Sequence, residues 1–239
     1  LTYLTVIVII NSFNLIDGVD GLAAGLGIFT TLTFGMYFYV AAHAEYAALA
    51  FAMCGSLLAF LIFNRSPARI FMGDTGSLLI GLINAILVVQ FINIAGSPGA
   101  LVPFPASPAI AIAILIIPLF DTLRVFSIRI FNRRSPFSPD RNHIHHILLD
   151  RGMSHKAVSF VLIVVNIFFV AVAYLLSFVS INILIPVLIT LAFGGFTLVY
   201  LRKPRLMVVA TADNEDILQL TKPSRILPLT PAKKAAEHN

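Results

Sequence analysis

Seven stretches of this chain are apolar enough to be read as crossings of a lipid bilayer, and no other feature limits its fold as much. They cover roughly residues 1–11 (an incomplete run), 22–40, 47–63, 76–95, 108–126, 157–179 and 184–201. A helical span needs about 20 mostly apolar residues to cross ~30 Å of hydrocarbon. The runs lack the polar–apolar alternation of a membrane barrel. With no water for backbone groups in lipid, helices are the remaining way across. Composition agrees, since 59% of the 239 residues are hydrophobic and 11% charged, against roughly 45–50% and about 25% in a soluble domain. Soluble, nucleic-acid-coating and disordered classes are thereby excluded, and the single Cys54 rules out a disulfide scaffold. The expected fold is all-α, a polytopic transmembrane bundle of about seven spans. One membrane domain over residues 1–201 is expected, followed by a polar, proline-bearing tail over 202–239.

The charges test this assignment independently. Alternating crossings put segments 11–21, 64–75, 127–156 and the tail from 202 on one side, and the turns near 41–46, 96–107 and 180–183 on the other. All sixteen Lys and Arg lie in or beside the first set. Arg65 and Arg69 are in its second loop, a cluster runs from Arg124 to Lys156, and the rest are in the tail. The positive-inside rule makes that side cytoplasmic. The net charge of +5 is therefore a record of topology, and no nucleic-acid partner is expected. No internal repeat of the kind common in secondary transporters is evident. The chain opens at Leu1, inside an apolar run with no charged segment before it, so it is expected to be a fragment lacking an N-terminal part.

Three polar segments on the charged side can carry chemistry. The first, NSFNLIDGVDGLAAG, spaces Asn11, Asn14, Asp17 and Asp20 by three. On a helix that spacing keeps amide and carboxylate groups near one another, able to converge on a ligand or cation. Gly18 and Gly21 would let the backbone turn or approach a bound group. The plain alternative is a loop needing turn residues and caps. In the second, NRSPARIFMGDTGSLLIG, Asp74 either caps a helix start or, flanked by Gly73 and Gly76, offers a carboxylate suited to Mg²⁺. The third, RVFSIRIFNRRSPFSPDRNHIHHILLDRGMSHKA, is the longest. Pro136 and Pro139 break the preceding helix, Asp140 or Asn142 can cap a short new one, Gly152 can end it, and Ser154 can cap the next span. His143 and His146 would share a face of that short helix with His145 turned aside. Zinc binding is one reading of HIHH, but phosphate binding by arginines and histidines is more natural in so basic a loop. Asp121, in PLFDTLR, can pair with Arg124 at i+3.

Taken together, NLIDGVDGLAAG, NRSPARIFMGDTGSL, PLFDTLRV and PFSPDRNHIHHILLDRGMSH resemble the polyprenyl-phosphate N-acetylhexosamine-1-phosphate transferases, the family that includes WecA, TagO and MraY. The likeness runs in order from about Asn11 to Val158, and the HIHH form resembles the WecA and TagO branch. Such enzymes move a sugar 1-phosphate from a UDP-sugar to a polyprenyl phosphate and release UMP. The resemblance implies a catalytic centre of Asp74, Asp17 and His145, with Asp74 and Asn14 on Mg²⁺ (Mn²⁺ as the alternative ion). It implies that Asp17 and Asp20 line the nucleotide pocket, with Phe71 beside the uracil. His143, His145, His146 and Arg141 would hold phosphates or the sugar. The family's adjacent acidic pair lies upstream of the first motif and is absent from this chain. The expected partners are a UDP-N-acetylhexosamine (UDP-GlcNAc foremost), undecaprenyl phosphate, the bilayer and, as an open alternative, a second copy in a homodimer. The expected location is the bacterial inner membrane, multi-pass, with the active-site loops and tail cytoplasmic. The alternatives are the same chemistry on another UDP-sugar, a transporter, and an inactive fragment.

Overall fold

A computed structural model describes residues 2–133, 135 and 143–201. Its helices are α1 (Thr2–Ile16), α2 (Leu22–Val40), α3 (Ala44–Asn64), α4 (Gly73–Ala95), α5 (Ser107–Ile114), α6 (Ile116–Phe131), α7 (Ile144–Leu149), α8 (His155–Leu175) and α9 (Ile181–Leu201), and no strand occurs among the described residues. Five of them, α2, α3, α4, α8 and α9, are long and apolar enough to cross a membrane. The α5–α6 pair adds a broken span, and α1 is a shorter apolar helix. The protein is thus a polytopic helical membrane protein. The expected tail over 202–239 lies outside the described residues.

The helices extend past the apolar runs at their polar ends. Helix α4 starts at Gly73 rather than near 76, α8 at His155 rather than 157, and α1 continues to Ile16. Hydropathy detects only the part of a helix that lipid must solvate, whereas the backbone ladder continues into polar residues at the interface. Asn14 therefore sits on a helix while Asp17 and Asp20 lie in the turn after it, so no single helical face carries all four residues of the first motif.

Lipid is as apolar as Leu and gives helices little reason to associate, so contacts rely on close packing of small residues. On α4, Ser77, Gly81 and Ala85 form a buried small stripe one turn apart. A Cβ on Gly81 would lie 2.6 Å from Ile10 Cα, so α1 and α4 touch backbone to backbone there. At the far end Phe34, Tyr37, Phe91 and Phe104 interlock, and the Tyr37 hydroxyl donates to the Val102 carbonyl (3.1 Å).

The run at 108–126, expected as one straight span, is instead two helices meeting at Leu115 with an 81° bend. The cause is Pro118. It has no N–H to give to the Ile114 carbonyl and sits in the first turn of α6, where proline is tolerated. Asn166 of α8, fully buried, supplies what is missing. Its Nδ2 donates to Ile114 O (2.8 Å) and its Oδ1 accepts from Ile117 N–H (3.2 Å). Asn166 lies about 16 Å along α8 from its start, at 1.5 Å per residue, so the break falls near the middle of a ~30 Å core. Irregular backbone at that depth is tolerated only where such partners exist.

Two outcomes follow. Gly81→Val should force α1 from α4 and lower stability by about 1–3 kcal/mol, read as thermal unfolding in detergent; an unchanged transition would mean the close approach is not needed. Asn166→Leu should cost about 1–3 kcal/mol for each backbone group it strands, and Pro118→Ala, by restoring an N–H, should recover part of that loss in the double variant. Simple additivity of the two changes would disconnect Asn166 from the break.

Candidate active site

The register set at Gly81 brings the first two polar segments together. From the Ile10–Gly81 contact, one turn toward the polar end leads to Asn14 on α1 and Ser77 on α4. Asn14 Nδ2 donates to Ser77 Oγ (3.0 Å) and to Asp74 Oδ1 (3.1 Å). The helix N-cap is Met72 without a side-chain capping bond, so Asp74 is not the cap that its position before an apolar run suggested. It is an exposed carboxylate in the first turn, favoured by the helix dipole and held by α1.

Loop residues complete the cleft. Asp17 is half-buried beside Asp74, and burial first, then the Asp74 charge, push its carboxyl up to about 6. Asp20 joins three segments. Its Oδ2 accepts from the Ala68 N–H (3.3 Å) and lies 3.4 Å from His155 Nδ1, while its main-chain oxygen accepts from Ser159 Oγ of α8 (2.8 Å). Asn64, at the end of α3, ties the two loops by accepting from Gly21 N–H (3.0 Å) and donating to Ile70 O (2.9 Å). Asn14, Asp17, Asp20, Asn64, Phe71 and Asp74 line one cleft of about 370 Å³, with His155 at its edge. Phe71, in the cleft lining, is 80% exposed. Ser77, Asn64, His155 and Ser159 were not evident as site residues in the sequence. Asn64 alone left a signal there, as a polar residue ending an apolar run.

The third segment is held by Asp121, which the bend delivers on α6. Its buried carboxylate accepts from His143 Nδ1 (2.8 Å), Ile144 N–H (2.9 Å) and Arg124 (2.9 Å), the last being the expected i+3 pair. A carboxylate on Nδ1 fixes the hydrogen there and leaves His143 Nε2 as the variable atom. Arg124 also lies over the Phe196 ring of α9, 4.5 Å from its centroid.

The histidines differ from their expected arrangement. His143 is the extended residue before α7 rather than a helical partner of His146. His145 is the innermost ring, stacked parallel to His143 at 5.6 Å and tilted against His146 at 4.3 Å. It packs on Gly18, where any Cβ would collide with its Nε2. Burial foremost, with the His146 charge next, pushes the His145 ring down to about 3. His145 is thus a neutral ring wedged behind the first loop, and it does not line the cleft. The reason is steric: glycine at position 18 leaves room for a ring, and the ring fills it. Arg141 lies outside the described residues. As expected, Ser154 caps α8, accepting from Ala157 N–H (3.3 Å).

Among the described residues no three His, Cys, Asp or Glu side chains cluster as metal ligands, which leaves the zinc reading without a ligand set. Mg²⁺ asks for less, one or two carboxylates with the remaining positions filled by phosphate and water. Asp74 and the Asn14 carbonyl oxygen provide such a set, and the mutual repulsion of Asp17 and Asp74 is the field that a divalent cation relieves. The residues present fit that ion.

The family described as Glycosyl transferase family 4 matches residues 1–92. The chain is 38% identical over 169 residues to a protein of Bacillus subtilis named a probable undecaprenyl-phosphate N-acetylglucosaminyl 1-phosphate transferase, covering 71% of this chain and 45% of that protein. It is 36% identical over 167 residues to the undecaprenyl-phosphate alpha-N-acetylglucosaminyl 1-phosphate transferase of Escherichia coli, covering 68% and 43%. A decaprenyl-phosphate N-acetylglucosaminephosphotransferase of Mycobacterium tuberculosis is 38% identical over 174 residues, covering 66% and 42%. The chain spans less than half the length of these curated relatives. It belongs to the polyprenyl-phosphate N-acetylhexosamine-1-phosphate transferase family.

Because Asp121 carries the charge that faces both His143 and Arg124, Asp121→Asn should destabilise the protein by about 3–5 kcal/mol, the usual cost of removing one partner from a buried ion pair. His143 should also react faster with diethylpyrocarbonate. Unchanged histidine reactivity would mean that Asp121 does not hold the loop.

Proposed function

We propose that the protein is the cleft-bearing part of an enzyme that transfers N-acetylglucosamine 1-phosphate from UDP-GlcNAc to undecaprenyl phosphate, releasing UMP. Beside the family membership, the observation that carries this reading is the gathering of Asn14, Asp17, Asp20, Asp74 and Phe71 around one cleft at the polar end of an apolar bundle. A soluble nucleotide sugar reaches such a site from the aqueous side while the acceptor's tail stays in lipid. In this reading the polar end faces the cytoplasm of a bacterial inner membrane, which the one-sided Lys and Arg distribution supports.

An oxygen of the acceptor phosphate attacks the sugar-bearing phosphorus of the donor, and the bond to the UMP oxygen breaks. That oxygen needs no strong base, because a phosphate monoester has its second pKa near ~6. Phosphoryl transfer asks chiefly for positioning and charge neutralisation. Asp74 and Asn14 would hold Mg²⁺, which supplies neutralisation of the diphosphate charge when bound. Asp17, with Asp20, would line the nucleotide side of the cleft. Phe71 offers a ring face to the base, and Asp20 holds the two loops in register through Ala68 and Ser159. By the family resemblance His143, held through Nδ1 by Asp121, would contact donor phosphate or sugar, with His146 and Arg141 as the further candidates. His145 supports this group from behind through Gly18.

Membranes containing the protein should convert UDP-[³H]GlcNAc to a butanol-extractable lipid, and added UMP should reverse the reaction. Asp74→Asn should lower turnover by roughly a hundredfold or more, as loss of an electrostatic contact to the reacting group does, while thermal unfolding stays unchanged. Absence of a lipid product with every UDP-HexNAc tried would reject the transferase, and wild-type turnover in Asp74→Asn would remove Asp74 from the metal role.

A further inference from the structure

A second concave site lies on the other side of the 64–73 loop. Arg65 and Arg69 on that loop and Lys156 in the first turn of α8, from distant parts of the chain, line one pocket of about 600 Å³. None of the three side chains forms an ion pair among the described residues. Asp20, which meets this loop, is engaged with the Ala68 N–H and His155. The wall of the pocket is Ile62 and Phe63, 67% and 48% exposed, in the last turn of a helix that has the length and apolarity of a span. Scattered cations near the ends of spans satisfy the positive-inside rule. Topology does not require three of them to converge on one hollow with an exposed apolar wall.

We propose that this pocket binds the phosphate headgroup of an anionic membrane phospholipid, with an acyl chain lying along Ile62 and Phe63. Each guanidinium can meet phosphate oxygens through paired N–H donors, and Lys156 adds a point charge. Basic pockets at the polar ends of spanning helices bind lipid headgroups by this combination. The site is separate from the cleft that holds Asp74, and it stands whether or not the proposed transfer reaction is correct.

The protein reconstituted in nanodiscs of phosphatidylcholine, with increasing fluorescent phosphatidylglycerol, provides the test, read by energy transfer to a fluorophore attached at a cysteine introduced at the exposed Leu58 in a Cys54→Ala background. Each cation near an anionic headgroup contributes about a fivefold factor in affinity. Replacing Arg65, Arg69 and Lys156 by Gln should therefore weaken phosphatidylglycerol binding by about a hundredfold, with unchanged unfolding in pure phosphatidylcholine. If the triple variant does not fold, the single variants carry the test at about fivefold each. Replacing Arg202, Lys203 and Arg205 by Gln should leave binding as it is. Equal binding by the triple variant and the unaltered protein would overturn the proposal, as would equal loss in the tail variant. Competition by inorganic phosphate as effective as that by the lipid would also overturn it, since it would show a free-anion site.

Discussion

Inside hydrocarbon every backbone N–H and C=O must find its partner within the protein, and where this structure breaks a span a side chain supplies one. At Leu115 the partner is Asn166, whose amide serves the Ile114 carbonyl that Pro118 leaves without a donor and takes the Ile117 N–H at the break. At the ends of α1 and α3 it is Asn64, which takes the Gly21 N–H and gives to the Ile70 carbonyl. These two buried amides decide where the chain can turn, and so where the residues after each turn can go. The break sends α6 off at 81°, and that path carries Asp121 to the loop of histidines.

Around this scaffold the charges are sorted. Asp17 and Asp74 share one cleft, where burial and, second to it, the Asp74 charge raise the Asp17 carboxyl to about 6. Asp121 is used entirely inside the protein, satisfied by His143, Ile144 and Arg124. Asp20 stands between the cleft and the basic pocket, bonded to the loop that bears Arg65 and Arg69. Four carboxylates that look alike in sequence thus have distinct environments, and the environment, not the residue type, sets what each can do.

Much of the architecture was legible in advance. The apolar runs correspond to the helices to within a few residues, and the one-sided Lys and Arg marked the end of the bundle where Asn14, Asp17, Asp20, Phe71 and Asp74 meet. The i+3 pairing of Asp121 with Arg124 and the Ser154 cap were readable because each is local, spanning less than one helical turn. The broken span was not: Pro118 signals weakness in a helix, but the bend depends on Asn166, 52 residues from the carbonyl it serves. Nor was the reversal of the histidines. The spacing of HIHH favoured His143 and His146 as partners, whereas the space left by Gly18 in another loop drew His145 inward.

By itself the sequence determined which stretches form apolar helices, the polar end of the bundle and the candidate acids. These follow from hydrophobicity and charge, which act residue by residue against lipid and water. Only the tertiary structure decided that Asn14 meets Asp74, that Asp20 joins two loops to α8, that His145 is a buried neutral ring, and that Arg65, Arg69 and Lys156 share one hollow. Those outcomes depend on steric room and hydrogen-bond geometry between segments far apart in the chain, which no local periodicity encodes.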